Sequence, residues 1–434
     1  MAVVPPPTAA APRAPTPARR RHAGRAAAGR RASQAGAGAA KHVVVVGGGV
    51  VGTSCAYFLA KRGCDVTLLE REARIAPAAS GKAGGFLAAD WGDGVTTELH
   101  VKGFDLHAQL ADELNLESYR TIPTLSVRAG KRNDARLGPD APKWLDGGVA
   151  SASIMDDPAR TAQVTPLELT TKLADGAVAH GATIRTGVQV VGMDIDENDR
   201  VVGVRTLPEG EDEESLVPCT DVLVAMGVWS TTAAEWFGLA RDAWPITGIK
   251  STHCVWDKRE RVRDEPRALF CGEDARFGTH LEVYPRSDGS LYICGIGGSD
   301  YVEGDRLRDG GDCARASLVE ANPDRVAAGS AALASLTSEA AGEPDSVGAC
   351  MRPCPPDARP IIGPVLDNAY VCAGTNCWGI SWGPLCGLAM SELLLDGTSS
   401  VSLAAFSPFR FLPSASRRGG RGRKQGTTSV GEQW

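Results

Sequence analysis

Three glycines and one carboxylate carry the clearest chemistry in this sequence. Gly47, Gly49 and Gly52 form G-x-G-x-x-G directly after the apolar run Val43 to Val46, and Glu70 closes the next apolar run. Glycines at this spacing let the chain turn tightly, let backbone N–H groups approach a pyrophosphate, and let the following helix pack close to the strand. The helix start offers unpaired N–H groups and partial positive charge to an anion. A carboxylate after the second strand accepts hydrogen bonds from a ribose diol and repels a 2′-phosphate. Together these residues predict a dinucleotide site that includes Val50 and Val51 in the first helical turn and Arg71 beside the carboxylate.

The elements that must position these groups can be read locally. Four consecutive valines suit a strand buried on both faces of a parallel sheet. Val51, Cys55, Phe58 and Leu59 share one helical face, and Gly63 ends that helix. A second strand at residues 65–69 delivers Glu70. Small residues in the next loop, Ser80, Gly81, Gly84 and Gly85, allow backbone to approach a ligand. Helices are predicted at 99–114 and 165–179, and strands at 121–128, 150–155, 183–185, 189–195 and 201–206. A buried strand at 221–225 ends in Ala225, Gly227 and Trp229, read as another turn against the ligand. From Trp244 to Gly298 the pattern changes to alternating strands with a hairpin turn at Ser287, Asp288 and Gly289, which predicts an antiparallel sheet. Helices at 327–341 and 385–395 complete the reading. The glycine-rich run before the last one could give a second anion-binding helix start.

Composition narrows the class. The chain has 434 residues, is 43% hydrophobic and carries a net charge of −6. That length suggests two or three domains. No apolar run approaches the roughly 18 residues a membrane-spanning helix needs, so no membrane span is expected. The first 40 residues contain seven arginines and no acidic residue, and read as a transit peptide, to a chloroplast in preference to a mitochondrion. A disordered tail has the same composition, and would leave the protein in the cytoplasm. Residues 414–434 are polar and basic. Between these ends the body is more acidic than the whole chain, which argues against nucleic acid as a partner. The 12 cysteines form no C-x-x-C and no cysteine–histidine cluster, so no metal site is predicted.

With these pieces in order, the chain resembles the FAD-dependent amine and amino-acid oxidoreductases, such as D-amino-acid oxidase, glycine oxidase and sarcosine oxidase. Four stretches carry the likeness: VVVVGGGVVGTSCAYFLAKRGCDVTLLE, ASGKAGG, DVLVAMGVWS, and RPCPPDARPIIG followed by AYVCAGTNCWGISWGPLCGLAMSELL. The resemblance implies FAD as cofactor, with Val190 or Val191 near the adenine and Gly374, Thr375, Asn376, Gly379 and Ile380 against the flavin. It also implies that Arg352 pairs with a substrate carboxylate; the other reading is an arginine held by backbone carbonyls or Asp357. Glu282 stands where many relatives have tyrosine, and could pair with a cationic amine or with Arg286. Ile293 replaces the lysine that activates oxygen in sarcosine oxidase. Cys350 lies where that enzyme joins its flavin covalently, a step that needs a thiolate; the other reading is a buried free cysteine. Trp91, Trp378 and Trp382 are candidate pocket walls.

The expected fold class is therefore α/β (α+β): a Rossmann-like FAD-binding domain with a parallel sheet, plus an antiparallel β-sheet substrate domain. FAD segments are expected at 41–115, 158–243 and 341–413, and substrate-domain segments at 116–157 and 244–340. The expected reaction oxidises the C–N bond of a small amine or amino acid, with O2 or another electron acceptor. The alternatives are a 2-hydroxy acid or polyol dehydrogenase, and a flavoprotein with a binding role.

Overall fold

The computed structural model describes residues 41–412; the predicted leader and the basic tail lie outside the described residues. The valine run forms the strand His42–Val46. It lies between two parallel neighbours, Val45 opposite Leu68 on one side and Leu223 on the other. Its valines are sealed on both faces, at 3% exposure or less. Around it runs a six-stranded sheet in the order Ile361–Leu366, Ala369–Ala373, Asp221–Val224, His42–Val46, Asp65–Leu69 and Thr183–Arg185. Only the edge strand Ile361–Leu366 is antiparallel to its neighbour. The first strand is thus a switch point, and in such sheets ligands lie beyond the carboxyl ends of the strands.

Two helices pack together on this sheet. Val50–Lys61 follows the glycine motif, and Gly379–Asp396 comes from the far end of the chain. Their contact is made by missing side chains. A Cβ on Gly383 would fall 2.9 Å from Val50 Cγ1, and one on Gly387 would fall 2.4 Å from Ser54 Cβ. Both pairs are four residues apart along their helices, so the helices run side by side and open at the same end. The closing helix begins at Gly379 rather than at residue 385 as the sequence suggests, and it carries Pro384 within it.

The second layer is an eight-stranded sheet built on Thr247–Trp256, Leu291–Cys294, Glu282–Pro285, Ala268–Cys271, Thr124–Ala129 and Val149–Ile154, with Asp300–Val302 at one edge. It is antiparallel as expected, apart from one parallel pair, Ala268–Cys271 with Thr124–Ala129. Ser346–Cys354 also belongs here. It pairs along the whole of Thr247–Trp256, from Thr247 opposite Cys354 to Val255 opposite Ser346. Sequence reading placed this stretch in the last FAD segment. Its alternation instead buries Ala349 and Met351 in apolar packing and turns Cys350 and Arg352 toward the cavities described below. Among the described residues no helix is long and apolar enough to cross a membrane.

Candidate active site

A cavity of about 400 Å³ opens at the shared end of the two helices. Its lining includes Glu70, Arg71, Val190, Val191 and Trp229; the Arg71 guanidinium lies 5.5 Å from the Trp229 ring centroid. Gly47, Gly49, Val50, Val51, Ser80, Ala225 and Gly227 line its middle. Gly374, Thr375, Asn376, Gly379, Ile380, Cys350 and Arg352 line the rest.

The middle is a cradle for an anion. Gly47 has φ +113°, and a Cβ there would lie 2.5 Å from the Ala225 carbonyl oxygen. The helix at Val50 has neither a side-chain cap from Gly49 nor an acidic residue in its first turn. Ser80 Oγ accepts the Val50 N–H at 2.9 Å, so the hydroxyl sits at the cradle's rim. Gly52 does not face the cavity. A Cβ on it would stand 1.9 Å from the Gly47 oxygen, which is the close helix–strand approach expected of the third glycine.

Glu70 is 8% exposed and fixed by its own loop: Oε2 accepts the Gly48 N–H at 2.7 Å and Oε1 accepts the Glu72 N–H at 2.8 Å. Burial pushes its carboxyl pKa up, while these two N–H groups and Arg71 pull it down. Each oxygen keeps a lone pair for a ribose hydroxyl.

The far end is shaped by the late turn. Gly374 has φ +70° and Asn376 has φ +53°. Cys354 Sγ donates to Asn376 Oδ1 at 2.9 Å, which ties the turn to the strand carrying Arg352. The closing helix again starts without a side-chain cap or an acidic first turn. Two helix starts without an acidic residue in the first turn, a glycine-lined cradle and a fixed carboxylate fit FAD, for which Glu70 would hold the ribose, the first helix the pyrophosphate and the late turn the flavin.

A second cavity, of about 150 Å³, shares Ala83, Cys350, Arg352, Cys377 and Ile380 with the first. Its walls are aromatic. Phe86 stacks on Tyr284 with 5.6 Å between centroids, and Trp91 meets Phe270 at 5.0 Å and Trp378 at 6.0 Å, edge to face. Two opposite charges face this space. Arg352 Nη2 donates to Ser251 Oγ at 3.1 Å, and Glu282 Oε2 accepts from Tyr284 Oη at 2.6 Å and from Cys294 Sγ at 3.3 Å.

Several expectations need correction. Asp357 does not hold Arg352; it forms an ion pair with Arg410 at 2.8 Å. Glu282 is bonded to Tyr284 and Cys294 and not to Arg286, because the strand ends at Pro285 and Arg286 swings over the Tyr292 ring. Ile293, which the resemblance sets at the place of the oxygen-activating lysine, packs in the apolar core with Val283 and Leu269 and does not line the cavity. Trp382 is a core residue, 1% exposed. Gly81 lines neither cavity; a Cβ there would meet the Ala76 oxygen at 2.2 Å. Gly84 and Gly85 line the smaller cavity, not the dinucleotide cradle. Both are required by packing, Gly84 beneath the Tyr284 ring and Gly85, at φ +85°, against the Val164 oxygen.

Cys350 lines both cavities. Burial raises its thiol pKa, although Arg352 and Lys82 oppose this. Sequence reading missed Phe86, Phe270, Tyr284, Tyr292 and Cys294. Tyr292 and Cys294 reach the site through strand pairing, opposite Tyr284 and Glu282, which no local motif reports.

A parallel sheet with a glycine-turned helix and a fixed carboxylate after its second strand, together with an antiparallel sheet and a polar-and-aromatic cavity, is the architecture of a dinucleotide-dependent oxidoreductase. More specifically, residues 42–393 match the family described as DAO, FAD dependent oxidoreductase, and the chain belongs to that family, with FAD as its cofactor. A Schizosaccharomyces pombe protein that carries only the general name oxidoreductase is 28% identical over 399 residues, covering 83% of this chain and 95% of its own length. The 4-methylaminobutanoate oxidase (formaldehyde-forming) of Paenarthrobacter nicotinovorans is 26% identical over 399 residues; the match takes in 83% of this chain and 44% of that enzyme. The fold is similar to that of glycine oxidase from Bacillus cereus, with a TM-score of 0.67, 21% identity, and coverage of 86% of this chain and 99% of that one.

Proposed function

We propose that this oxidoreductase oxidises the C–N bond of a small amine that also bears a carboxylate. The observation that carries the reading is the pairing of Arg352 and Glu282 in one aromatic-walled cavity that shares an edge with the FAD cavity. A cation and an anion projecting into one cavity from strands of the same sheet complement a zwitterion; a hydroxy acid would leave Glu282 beside a neutral group.

Arg352 holds the substrate carboxylate through its planar fork, and its bond to Ser251 Oγ fixes the angle of that fork. The amine then lies toward Glu282 and the aromatic rings, which exclude water from the reacting carbon. When bound, FAD supplies the hydride acceptor. The imine product is hydrolysed by water to a carbonyl compound.

Anaerobic mixing of the purified, FAD-loaded protein with glycine, D-alanine, proline and 4-methylaminobutanoate tests the proposal. Loss of the flavin absorbance with one of these amines and not with lactate is expected. Bleaching by lactate alone would overturn it and favour a hydroxy-acid dehydrogenase; bleaching by neither favours a binding role. Admitting air afterwards identifies the acceptor, since recovery with release of hydrogen peroxide marks an oxidase.

A further inference from the structure

The mode of attachment of Glu282 gives it a task beyond charge complementarity. Strand alternation sets Glu282 and Tyr284 on the cavity side of Glu282–Pro285, while Val283 enters the core. The neighbouring strand contributes Cys294 directly opposite Glu282, and Tyr292 opposite Tyr284. Both side-chain hydrogen bonds that hold Glu282 fall on a single carboxylate oxygen: Tyr284 Oη at 2.6 Å and Cys294 Sγ at 3.3 Å, each to Oε2. Burial raises the pKa of both donors well above their ordinary values, so each stays protonated and donates. Oε1 takes neither bond. A carboxylate held by one oxygen presents the other in a fixed direction.

The rest of the wall cannot do what that oxygen can. Aromatic faces such as Trp91 and Phe270 attract a cation but accept no proton from it. Arg352 repels a cation and has no acceptor. Among the described residues lining this cavity, Glu282 is the sole carboxylate. The groups that face it are Tyr284 on its own strand, Tyr292 and Cys294 on the next, Cys350 and Arg352 on Ser346–Cys354, and His280 in the loop before its strand.

We infer that Glu282 is a catalytic residue: Oε1 holds the substrate's ammonium nitrogen and takes one of its protons, so that the enzyme consumes the cationic form of the amine. This rests on the amine-oxidising reading above. An ammonium group has no lone pair with which to expel a hydride. When its N–H bond breaks, the electron pair stays on nitrogen and the proton goes to Oε1. That pair is then free to form C=N as the adjacent C–H bond loses its hydride, for which bound FAD would be the acceptor, and Glu282 later returns its proton to water.

The test compares the wild type with Glu282→Gln, whose amide oxygen can still accept from Tyr284 and Cys294. The rate of anaerobic flavin bleaching by glycine and by 4-methylaminobutanoate is followed from pH 6 to 10. Glu282→Gln is expected to be slower by about 100-fold at pH 7, a usual size for loss of a general base, and to gain about tenfold per pH unit as the free amine appears. Glu282→Asp is expected to restore part of the neutral-pH rate. A second measurement needs no turnover. Trimethylglycine and 3,3-dimethylbutanoate have the same shape and differ in the charge of the head group. Titrations followed by the flavin spectrum should show the wild type preferring the cation at least tenfold and Glu282→Gln losing that preference. A Glu282→Gln protein with the wild-type pH profile and preference overturns this inference and leaves amine oxidation standing. A wild-type flavin that no amine bleaches overturns both.

Discussion

His107 Nε2 stands 2.9 Å from the carbonyl oxygen of Ile380, the carbonyl that Pro384 leaves without its helical N–H. Proline inside a helix removes the donor to the residue four positions earlier, and here an imidazole from the helix Thr97–Leu114 takes the vacant place. The repair is what lets the closing helix begin at Gly379 and so bring its N-terminus to the cofactor cavity. His107→Leu removes the donor, orphans a buried carbonyl and is expected to cost about 1–3 kcal/mol. Urea unfolding of the FAD-loaded protein checks this, and an unchanged midpoint would count against the role.

The same histidine predicts a pH dependence. Burial lowers its pKa from the ordinary 6.5 to about 4, and its Nδ1 has no acceptor within the fold. The unfolded chain therefore binds the proton first as pH falls. Stability from the neutral ring is complete above about pH 6.5 and is lost as pH drops toward 4, by about 3 kcal/mol. Carboxylates contribute in the same window, so the comparison is with His107→Gln, whose stability should fall less steeply between pH 6.5 and 4. Parallel slopes would refute the assignment.

Gly387 is where the two cofactor helices touch most closely, and a Cβ there would lie 2.6 Å from the Ser54 carbonyl carbon. Gly387→Val should force the helices apart and cost at least about 1–3 kcal/mol. Because both helix starts face the cavity, the variant should also purify with less flavin. The ratio of flavin to protein absorbance, read beside the melting temperature, checks both effects.

Glu70→Gln replaces one acceptor of a loop N–H with an amide that must turn a donor toward Gly48 or Glu72. Weaker FAD binding by about tenfold to 100-fold is expected, the range of a hydrogen bond to a buried charge. Titration of the apoprotein by fluorescence measures it. Equal affinity would remove Glu70 from the ribose site.

Arg352→Lys keeps the charge and loses the fork. The apparent affinity for carboxylate-bearing amines should fall by about 1.5–3 kcal/mol, while amines without a carboxylate lose less. Steady-state KM values for a matched pair of amines decide the matter. If both are unaffected, the carboxylate is held elsewhere.

The raised pKa of the Cys350 thiol favours non-covalent FAD. Acid precipitation should leave the colour in the supernatant, and Cys350→Ala should keep its flavin. A yellow pellet would show a covalent link instead.

How much of this was legible in the sequence depended on range. The glycine motif and Glu70 were readable because their meaning lies within one strand–turn–helix–strand unit. The late turn was found, but the closing helix was started after Pro384, since nothing near that proline announces a histidine far earlier in the chain. Glu282 was seen, whereas its partners were not: Arg286 shares the strand's alternation but lies past its end, and Cys294 is brought opposite only by pairing. The chain segment carrying Arg352 was grouped with the cofactor domain, while its nine residues join the larger sheet through pairing that no local motif reports.

That strand, Ser346–Cys354, also limits how the site can change over time. Because neighbouring side chains along it point in opposite directions, losing or gaining one residue within it would swing the guanidinium and the thiol into oil-like surroundings and aim Met351 outward in their place. New substrate preferences on this scaffold should therefore arise by exchanging side chains at a constant strand length, with indels confined to the connecting loops.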